Sequence, residues 1–356
     1  MPSSKGGKVR GGERELRRSR SSVIKAGLYF ISLAILIYVL VYMPTPYMIH
    51  QPGSAEEIKP MVSVKEGDTA EKGTFMLTTV SVSYANIAML VTSQFRPHTE
   101  IIRKEPDRDE EEYQTEQRYY MNTSQSSAIM AAYKYAGVEY KIVPEYVFVI
   151  GFSDKITPKG DFHPGDIIKK VDGKAVEKFE QLAELMSGKS VGDQVAVELE
   201  RNGEKVEQRV ELVKLGDTNG ISKVGFGVSV GEVRKIQPQD PGKEVHFAET
   251  RIGGPSAGLM FSLEIYNQLT PGDLSKGYRV AGTGTVAEDG TVGPIGGVQF
   301  KIVASDREKA DIFFVPEDNY KEAKAKADEI GTSMKLVPVK RVDDALNYLK
   351  ELSYKS

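Results

Sequence analysis

A single serine lies between a Gly-Gly-Pro turn and an apolar helical pattern in the last third of the chain. The stretch RIGGPSAGLMFSLEIYNQL covers residues 251–269, and Pro255 suits the first position of a helix, which would place Ser256 in the first turn. Backbone N–H groups are unpaired there, so a hydroxyl beside them suits a nucleophile with a neighbouring oxyanion hole. A serine that only caps the helix would have the same neighbours. On this stretch alone, both interpretations stay open.

A second motif begins within thirty residues of the serine. The stretch GTGTVAEDGTVGPIGGVQFKIVAS, residues 282–305, contains an Asp289-Gly290 turn, a Gly-Pro-Ile-Gly-Gly turn and then Lys301 in a second amphipathic helix. In this order and spacing, the two motifs resemble the proteolytic domain of the Lon family of serine proteases, over about residues 224–352. The resemblance implies that Ser256 is the nucleophile, that Lys301 is the catalytic lysine and that Thr283 helps to orient it.

A lysine must be neutral to accept the proton of a serine. An exposed lysine has a pKa of about 10.4 and is protonated at neutral pH. Burial lowers that pKa, and a shift of roughly three units costs about 4 kcal/mol, which requires apolar surroundings without a carboxylate. A lysine on the helix surface is the ordinary alternative, and it would leave the serine unactivated. The sequence neighbours of Lys301 favour burial, because most are apolar: Ile295, Val298, Phe300, Ile302 and Val303.

Other catalytic chemistries find little support in the sequence. The chain has no cysteine, which excludes thiol catalysis and Cys-ligated zinc, and its four histidines form no His-Glu-x-x-His pattern. His246 is predicted to be a solvent-facing strand residue rather than the base of a triad. The stretch AELMSGKS, residues 183–190, lacks the first glycine of a phosphate-binding loop. We therefore expect no cofactor and no metal, and substrates that need no ATP-driven unfolding.

A β-rich region with one helical stretch precedes the two motifs. HPGDIIKKVDGKAVEKFEQLAELM (163–186) and GDQVAVELERNGE (192–204) resemble a PDZ domain of the type attached to bacterial proteases, over roughly 75 residues. Turns at Pro164-Gly165 and Asp172-Gly173 bound an apolar strand, and an apolar face recurs at helical spacing beyond Lys178. The resemblance implies that an extended peptide binds by strand addition beside this helix, with the binding strand around residues 147–152 (VFVIGF).

The N-terminal part combines a basic tail with a long apolar run. Eight basic and two acidic residues give residues 1–25 a charge of +6, and residues 26–43 carry no charge. Eighteen residues of helix span about 27 Å, close to the hydrocarbon thickness of a bilayer. We expect a transmembrane helix at 26–43, with the basic tail in the cytoplasm and everything after about Pro44 outside. A cleaved signal peptide and a buried core helix are the alternatives.

The remaining stretches complete an α+β organisation. Residues 73–82 are typical of a strand, residues 105–117 form an acidic loop or helix face, and residues 126–137 predict a short helix that ends at Gly137. The resulting division is a cytoplasmic tail (1–25), a transmembrane helix (26–43), a linker with the first protease elements (44–139), a PDZ domain (140–215) and a Lon-like proteolytic domain (220–352). The family resemblance implies that the PDZ domain is inserted into the proteolytic domain, so residues 73–86 should pair with strands beyond Gly220.

This layout resembles the PDZ-containing Lon-like serine proteases of Gram-positive bacteria, a family that includes a processor of secreted peptide pheromones. The resemblance implies a membrane-anchored, ATP-independent endopeptidase with a Ser-Lys dyad, which cleaves exported peptides or proteins outside the cytoplasmic membrane. The expected partners are peptide or protein substrates, recruited by the PDZ domain, and the cytoplasmic membrane; no nucleic acid is expected. The competing hypothesis is a PDZ-based binding protein whose protease domain is an inert scaffold.

Overall fold

The computed structural model describes residues 9–70, 72–104, 110–152, 155–218, 221–250 and 252–355. Its helices are α1 (Val9–Tyr42), α2 (Ile87–Ser93), α3 (Glu110–Ala136), α4 (Phe179–Met186), α5 (Gly258–Leu269), α6 (Val298–Arg307), α7 (Tyr320–Ile330) and α8 (Val342–Glu351). The first strands are β1 (Pro44–Glu57), β2 (Val62–Val64), β3 (Thr74–Asn86), β4 (Glu100–Arg103), β5 (Tyr140–Phe152), β6 (Ile167–Val171), β7 (Lys174–Ala175), β8 (Gln194–Arg201) and β9 (Glu204–Glu211). The later strands are β10 (Val213–Thr218), β11 (Ile221–Gly225), β12 (Val228–Pro238), β13 (Val245–Phe247), β14 (Arg279–Gly282), β15 (Thr285–Val286), β16 (Val292–Gly293), β17 (Ile312–Pro316) and β18 (Lys335–Val339). Short 3-10 helices occupy Pro241–Lys243 and Glu317–Asn319.

The chain forms two compact units. The smaller one comprises residues 1–51 and 82–104, and the larger one residues 52–81 and 105–356. Helices and strands alternate in both, which confirms the mixed α+β fold that the sequence predicts. Of the predicted basic tail, residues 1–8 lie outside the described residues, and α1 begins at Val9.

The central sheet of the larger unit positions the motif residues. Its strands follow the order β18-β17-β14-β3-β1, and β14 pairs in parallel with β3 on one side and with β17 on the other. Residues 74–77 of β3 face residues 279–282 of β14, as the inserted arrangement predicts. All five residues of β17 are buried, which is the pattern of a parallel strand covered on both faces.

Two helices build the core beside this sheet. Every residue of α5 is buried, so the amphipathic helix expected after the serine is in fact covered all round. It packs against α3, whose residues 127–133 are also buried. The short helix predicted at 126–137 is the last part of the 27-residue α3, and it ends where expected, before Gly137 at φ +70°. Of the acidic run, residues 105–109 lie outside the described residues and the rest begins α3.

The β-rich region forms a sheet of its own, in the order β12-β5-β6-β8-β9, with β7 beside β6. Its core holds buried apolar residues of β5, β6, β8 and β9 together with Leu182 of α4, and Val228 and Val230 of β12 pack against this core. The helix predicted around residues 178–186 is α4. The sheet extends beyond the predicted boundary at Leu215, because β12 pairs with the whole of β5 from Val228–Phe152 to Pro238–Tyr140.

The smaller unit contains α1, α2 and β4 with the adjoining parts of β1 and β3. Within α1, Lys25–Tyr42 has a mean hydropathy of 1.9, and none of it is buried. A helix of this length and composition could cross a membrane, and a signal sequence near the N-terminus would have the same character. β4 pairs antiparallel with β1, from Tyr47–Arg103 to His50–Glu100.

Candidate active site

Ser256 lies in a tight turn that helix α3 holds from one side. Gly254 adopts φ +90°, a conformation that favours glycine, and its N–H donates to the carbonyl of Gln117, 2.9 Å away. The hydroxyl of Ser124 donates to the carbonyl of Pro255 at 3.0 Å. These two contacts fix the backbone on the N-terminal side of the serine.

Helix α5 begins three residues later than the sequence predicts. Its first residue is Gly258, with Ala257 as the cap, so the expectation that Pro255 starts the helix and that Ser256 lies in its first turn was wrong. The carbonyl of Ser256 instead accepts the N–H of Gly284 at 2.8 Å, which draws the turn away from the helical path. The serine remains next to the helix N-terminus, where unpaired N–H groups carry partial positive charge.

Lys301 is buried in the first turn of α6, with 3% of its surface exposed. The helix starts after Gly297, which adopts φ +69°. The neighbouring side chains Val298, Phe300 and Ile302 are buried as well, so the apolar surroundings expected from the sequence are present. A surface position for this lysine is therefore excluded.

The lysine amine and the serine hydroxyl are in direct contact. Nζ of Lys301 lies 2.8 Å from Oγ of Ser256, and it donates a hydrogen bond to the carbonyl oxygen of Thr78, also at 2.8 Å. Burial lowers the pKa of Lys301 from 10.5 to about 7, because the apolar interior disfavours the charged ammonium. A substantial fraction of the lysine is then neutral at physiological pH. A neutral amine keeps one lone pair, which can accept the proton of the serine hydroxyl at this distance.

Thr283 lies beside the pair but contacts the serine. Its hydroxyl donates to the carbonyl of Ser256 at 3.1 Å, and its N–H donates to the carbonyl of Phe314 at 3.0 Å. The lysine amine is held by Thr78, whose hydroxyl donates to the carbonyl of Gly282. The lysine-orienting role that the family resemblance implies for Thr283 stays a prediction.

Three residues of this site lie outside the two sequence motifs that contain Ser256 and Lys301. Thr78 belongs to β3, whereas Gln117 and Ser124 belong to α3. Gln117 and Thr78 act through backbone carbonyls, so their side chains carry no signal. Only the spacing of Met121, Ser124 and Ala128 along α3 marks a buried face, and Gln117 lies one turn before Met121.

The residues considered for other catalytic chemistries lie in other parts of the fold, with their own partners. His246 lies on β13, opposite Ser63, and 59% of its side chain is exposed. The lysine of the AELMSGKS stretch, Lys189, forms an ion pair with Asp172 at 2.8 Å. Among the residues that the structure describes, no group of three or more side chains has the composition and proximity of a metal site.

A separate apolar cavity of 530 Å³ lies between α4 and the end strand of the second sheet. Its walls include Leu182 and Met186 of α4, and Val228 and Val230 of β12. The expected binding strand, residues 147–152, belongs to β5, where β12 already pairs along the full length. That expectation was wrong, because a peptide beside α4 would meet β12 first. Gly225 and Phe226, just before β12, also line the cavity.

Comparison with known families agrees with both domains. Residues 242–351 match the family model of the Lon protease (S16) C-terminal proteolytic domain, and residues 138–212 match that of the PDZ domain. Lon protease of Elusimicrobium minutum is 35% identical over 102 residues, which is 28% of this chain and 12% of that protein. Lon protease of Aster yellows witches'-broom phytoplasma is 28% identical over 105 residues, 29% of this chain and 13% of that protein. The chain thus spans only about an eighth of the length of these relatives.

Two similar solved structures each cover about a quarter of the chain. The PDZ domain of an SdrC-like protein from Listeria monocytogenes is 25% identical and covers 25% of this chain and 92% of its own, with a TM-score of 0.22. Its counterpart from Listeria innocua is 22% identical and covers 24% of this chain and 93% of its own, with a TM-score of 0.22. The family matches confirm the two resemblances seen in the sequence: residues 138–212 are a PDZ domain, and residues 242–351 are a Lon-type C-terminal proteolytic domain.

Proposed function

We propose that the protein is a membrane-anchored, ATP-independent serine endopeptidase that cleaves exported peptides or proteins outside the cytoplasmic membrane. One observation carries the proposal: the amine of a buried lysine lies 2.8 Å from the hydroxyl of Ser256, and its pKa is lowered to about 7. Such a lysine can serve as a base at neutral pH, which an exposed lysine cannot. Burying a lysine amine costs free energy of folding, and an inert scaffold would have no need of it.

The contacts of the pair define the steps of the reaction. Neutral Lys301 takes the proton of Ser256 as Oγ attacks the scissile carbonyl, while the carbonyl of Thr78 holds the amine in place. Backbone N–H groups of the turn before α5 are available to stabilise the oxyanion. The protonated lysine then protonates the leaving amine, and water releases the acyl group.

Two substitutions test this assignment. Ser256→Ala and Lys301→Met should each reduce the cleavage of a fluorescein-labelled unfolded protein, such as casein, by at least about a thousandfold. Lys309→Met is the matched control, because Lys309 is exposed just beyond α6. The assignment would be wrong if either dyad variant, shown to be folded, cleaved at the rate of the control.

The PDZ domain is proposed to hold an extended substrate along the edge of β12 beside α4. The apolar side chains of Leu182, Met186, Val228 and Val230 would accept side chains of the peptide, while its backbone pairs with the strand. Holding the peptide near the site raises its effective concentration without a new contact at the scissile bond. We therefore expect the PDZ domain to lower KM for long substrates in particular.

The two ends of the second sheet lie side by side, so the region between them can be deleted and bridged. Tyr140 pairs with Pro238, and the N–H of Gln239 donates to the carbonyl of Glu139 at 2.9 Å, so residues 140–238 can be replaced by a short Gly/Ser linker. The protein that lacks residues 140–238 should show a raised KM for casein and an unchanged KM for a short peptide. Equal losses on both substrates, in a folded variant, would show that the domain does not recruit substrate.

The topology is a separate part of the proposal. The charge of +6 in residues 1–25 favours a cytoplasmic N-terminus and places the residues after α1 outside. In intact cells, a membrane-impermeant amine label should reach Lys59 and Lys65 but not Lys5 or Lys8. Labelling of the N-terminal lysines in sealed cells would contradict this orientation.

A further inference from the structure

The smaller unit exposes an unusual number of large apolar side chains. Among its described residues beyond α1, these are Met43, Tyr47, Tyr84, Val91, Phe95, Ile101 and Ile102. Phe95 is 84% exposed and Val91 55%. The larger unit shows no such concentration, because its exposed large apolar residues are spread along the described part of residues 110–355. On a soluble protein, such a concentration of exposed apolar side chains marks a site of association.

Helix α2 is attached to the end of α1. The side chain of Asn86, which caps α2, donates to the carbonyl of Val41 at 2.8 Å, and Val41 lies inside the apolar window Lys25–Tyr42. The start of α2 is therefore held level with the last turn of α1. Helix α2 is only about 10 Å long, so the turn at Phe95 that follows it stays close to the end of α1. If α1 spans the bilayer, α2 and this turn therefore lie at the membrane surface.

The composition of this segment suits a membrane surface. Residues 82–104 contain Arg96, Arg103 and Lys104 but a single carboxylate, Glu100. Tyr38 and Tyr42 stack at the same end of α1, with ring centroids 5.3 Å apart, and Lys104 lies 5.1 Å from the ring of Tyr84. Aromatic rings and basic groups of this kind are typical of the headgroup level of a bilayer.

We propose that α2 and the following turn, with Val91 and Phe95 foremost, insert into the interfacial layer of the leaflet at the Tyr42 end of α1. The occupant of this apolar surface is thus the lipid bilayer itself, with anionic headgroups meeting the basic residues. The inference rests on the proposed anchoring by α1, and it goes beyond it, because it assigns a second membrane contact outside the spanning helix. It implies that α2 and the turn at Phe95 lie against the membrane surface beside the spanning helix.

The absence of tryptophan from the chain allows a direct test. Three single-tryptophan variants of the full chain, Phe95→Trp, Tyr38→Trp and Phe179→Trp, are placed in vesicles of equal parts phosphatidylcholine and phosphatidylglycerol. Tyr38 lies inside the apolar window and reports insertion of α1, whereas Phe179, on α4 and 52% exposed, reports solvent. Lipids brominated near the headgroup or near the chain ends then quench each probe according to its depth.

Phe95→Trp should show blue-shifted emission and stronger quenching by the lipid brominated near the headgroup. Phe179→Trp should show neither, and Tyr38→Trp should be quenched by both lipids. If Tyr38→Trp is quenched while Phe95→Trp behaves like Phe179→Trp, the surface contact is refuted and the anchoring stands. If Tyr38→Trp is not quenched, α1 is not in the bilayer and both inferences fall, whereas the peptidase assay on Ser256 is unaffected. Val91→Trp provides a second probe of the same surface, and its failure to be quenched would count equally against the proposal.

Discussion

Replacing Lys301 by methionine should stabilise the protein at neutral pH while it abolishes peptidase activity. Lys301 is 3% exposed, and burial lowers its pKa from 10.5 to about 7. In the unfolded chain the lysine regains its ordinary pKa, so folding works against its protonation. The difference between the two pKa values corresponds to about 5 kcal/mol at low pH and about 4 kcal/mol at neutral pH.

The sign of the pH dependence follows from proton binding. Between the folded pKa of about 7 and the ordinary value of 10.5, the unfolded state binds more protons than the folded state. The stability of the parent protein therefore rises with pH in this window, by about 1.4 kcal/mol per pH unit from this group, and the contribution is lost as pH falls through 7. Methionine does not titrate, so its advantage should shrink as the pH approaches 10.

Part of the gain is lost to an unpaired carbonyl. Methionine has about the length of the lysine stem, but it leaves the carbonyl of Thr78 without the amine donor at 2.8 Å. An unsatisfied buried acceptor costs about 1–3 kcal/mol. The expected net stabilisation at neutral pH is therefore about 1–3 kcal/mol.

Urea unfolding of the detergent-solubilised full chain measures this difference. The unfolding midpoints of parent, Lys301→Met and the exposed control Lys309→Met are compared at about pH 7 and about pH 10. Lys301→Met should gain over the control at the lower pH and fall to or below parity at the higher one, where only the lost hydrogen bond remains. A difference between Lys301→Met and the parent that does not change with pH would refute the reasoning, because it would mean that the lysine is not desolvated.

Three further predictions concern catalysis and the core. The kcat/KM of the parent for a short peptide should rise with pH and level off above an apparent pKa near 7, which is the value that burial gives Lys301; a profile that stays flat from acid to alkaline pH would contradict this. Ser124→Ala removes the hydrogen bond to the carbonyl of Pro255 and should lower kcat about tenfold with little change in KM. Ser126→Ala on the same helix should not, because the hydroxyl of Ser126 donates to the carbonyl of Arg234 on β12. Burial raises the pKa of Glu264, whose Oε2 has no partner among the described residues, so stability from its protonated form is lost as pH rises through the folded pKa. Glu264→Gln should therefore raise the thermal midpoint at alkaline more than at acidic pH, and the exposed control Glu322→Gln should show no such difference.

The motif residues were predictable because their types and spacing carry the information. Ser256 stands in a glycine-rich turn before an apolar helix, and Lys301 stands in the first turn of a helix that follows a second glycine-rich turn; such patterns can be recognised without a structure. The depth of Lys301 followed from its apolar neighbours. Thr78 could not be found in this way, because a backbone carbonyl can be supplied by any residue type.

The predicted PDZ range of residues 140–215 agrees with the family match at residues 138–212, but the sequence did not predict that the sheet continues into β12. The sequence pattern from Tyr140 to Leu215 alternates clearly, but β12 joins the sheet from outside that range by pairing with β5 over eleven residue pairs. Pairing between strands that are distant in sequence leaves little local trace. The expectation that a peptide pairs with residues 147–152 was wrong for the same reason, because β5 would be an edge strand only if β12 did not pair with it.

Helix α3 is the element whose role the sequence conceals most. Its pattern changes from acidic to apolar along 27 residues, so only the last part read as a helix. In the structure Gln117 and Ser124 hold the turn before Ser256, while Tyr119 packs on Phe148 of β5 with ring centroids 5.6 Å apart. Ser126 bonds to the carbonyl of Arg234 on β12. Residues two positions apart on a helix point in nearly opposite directions, so one helix contacts the turn before Ser256 on one face and the PDZ sheet on the other. The proteolytic and PDZ domains therefore pack against the same helix, through contacts that its sequence pattern does not mark.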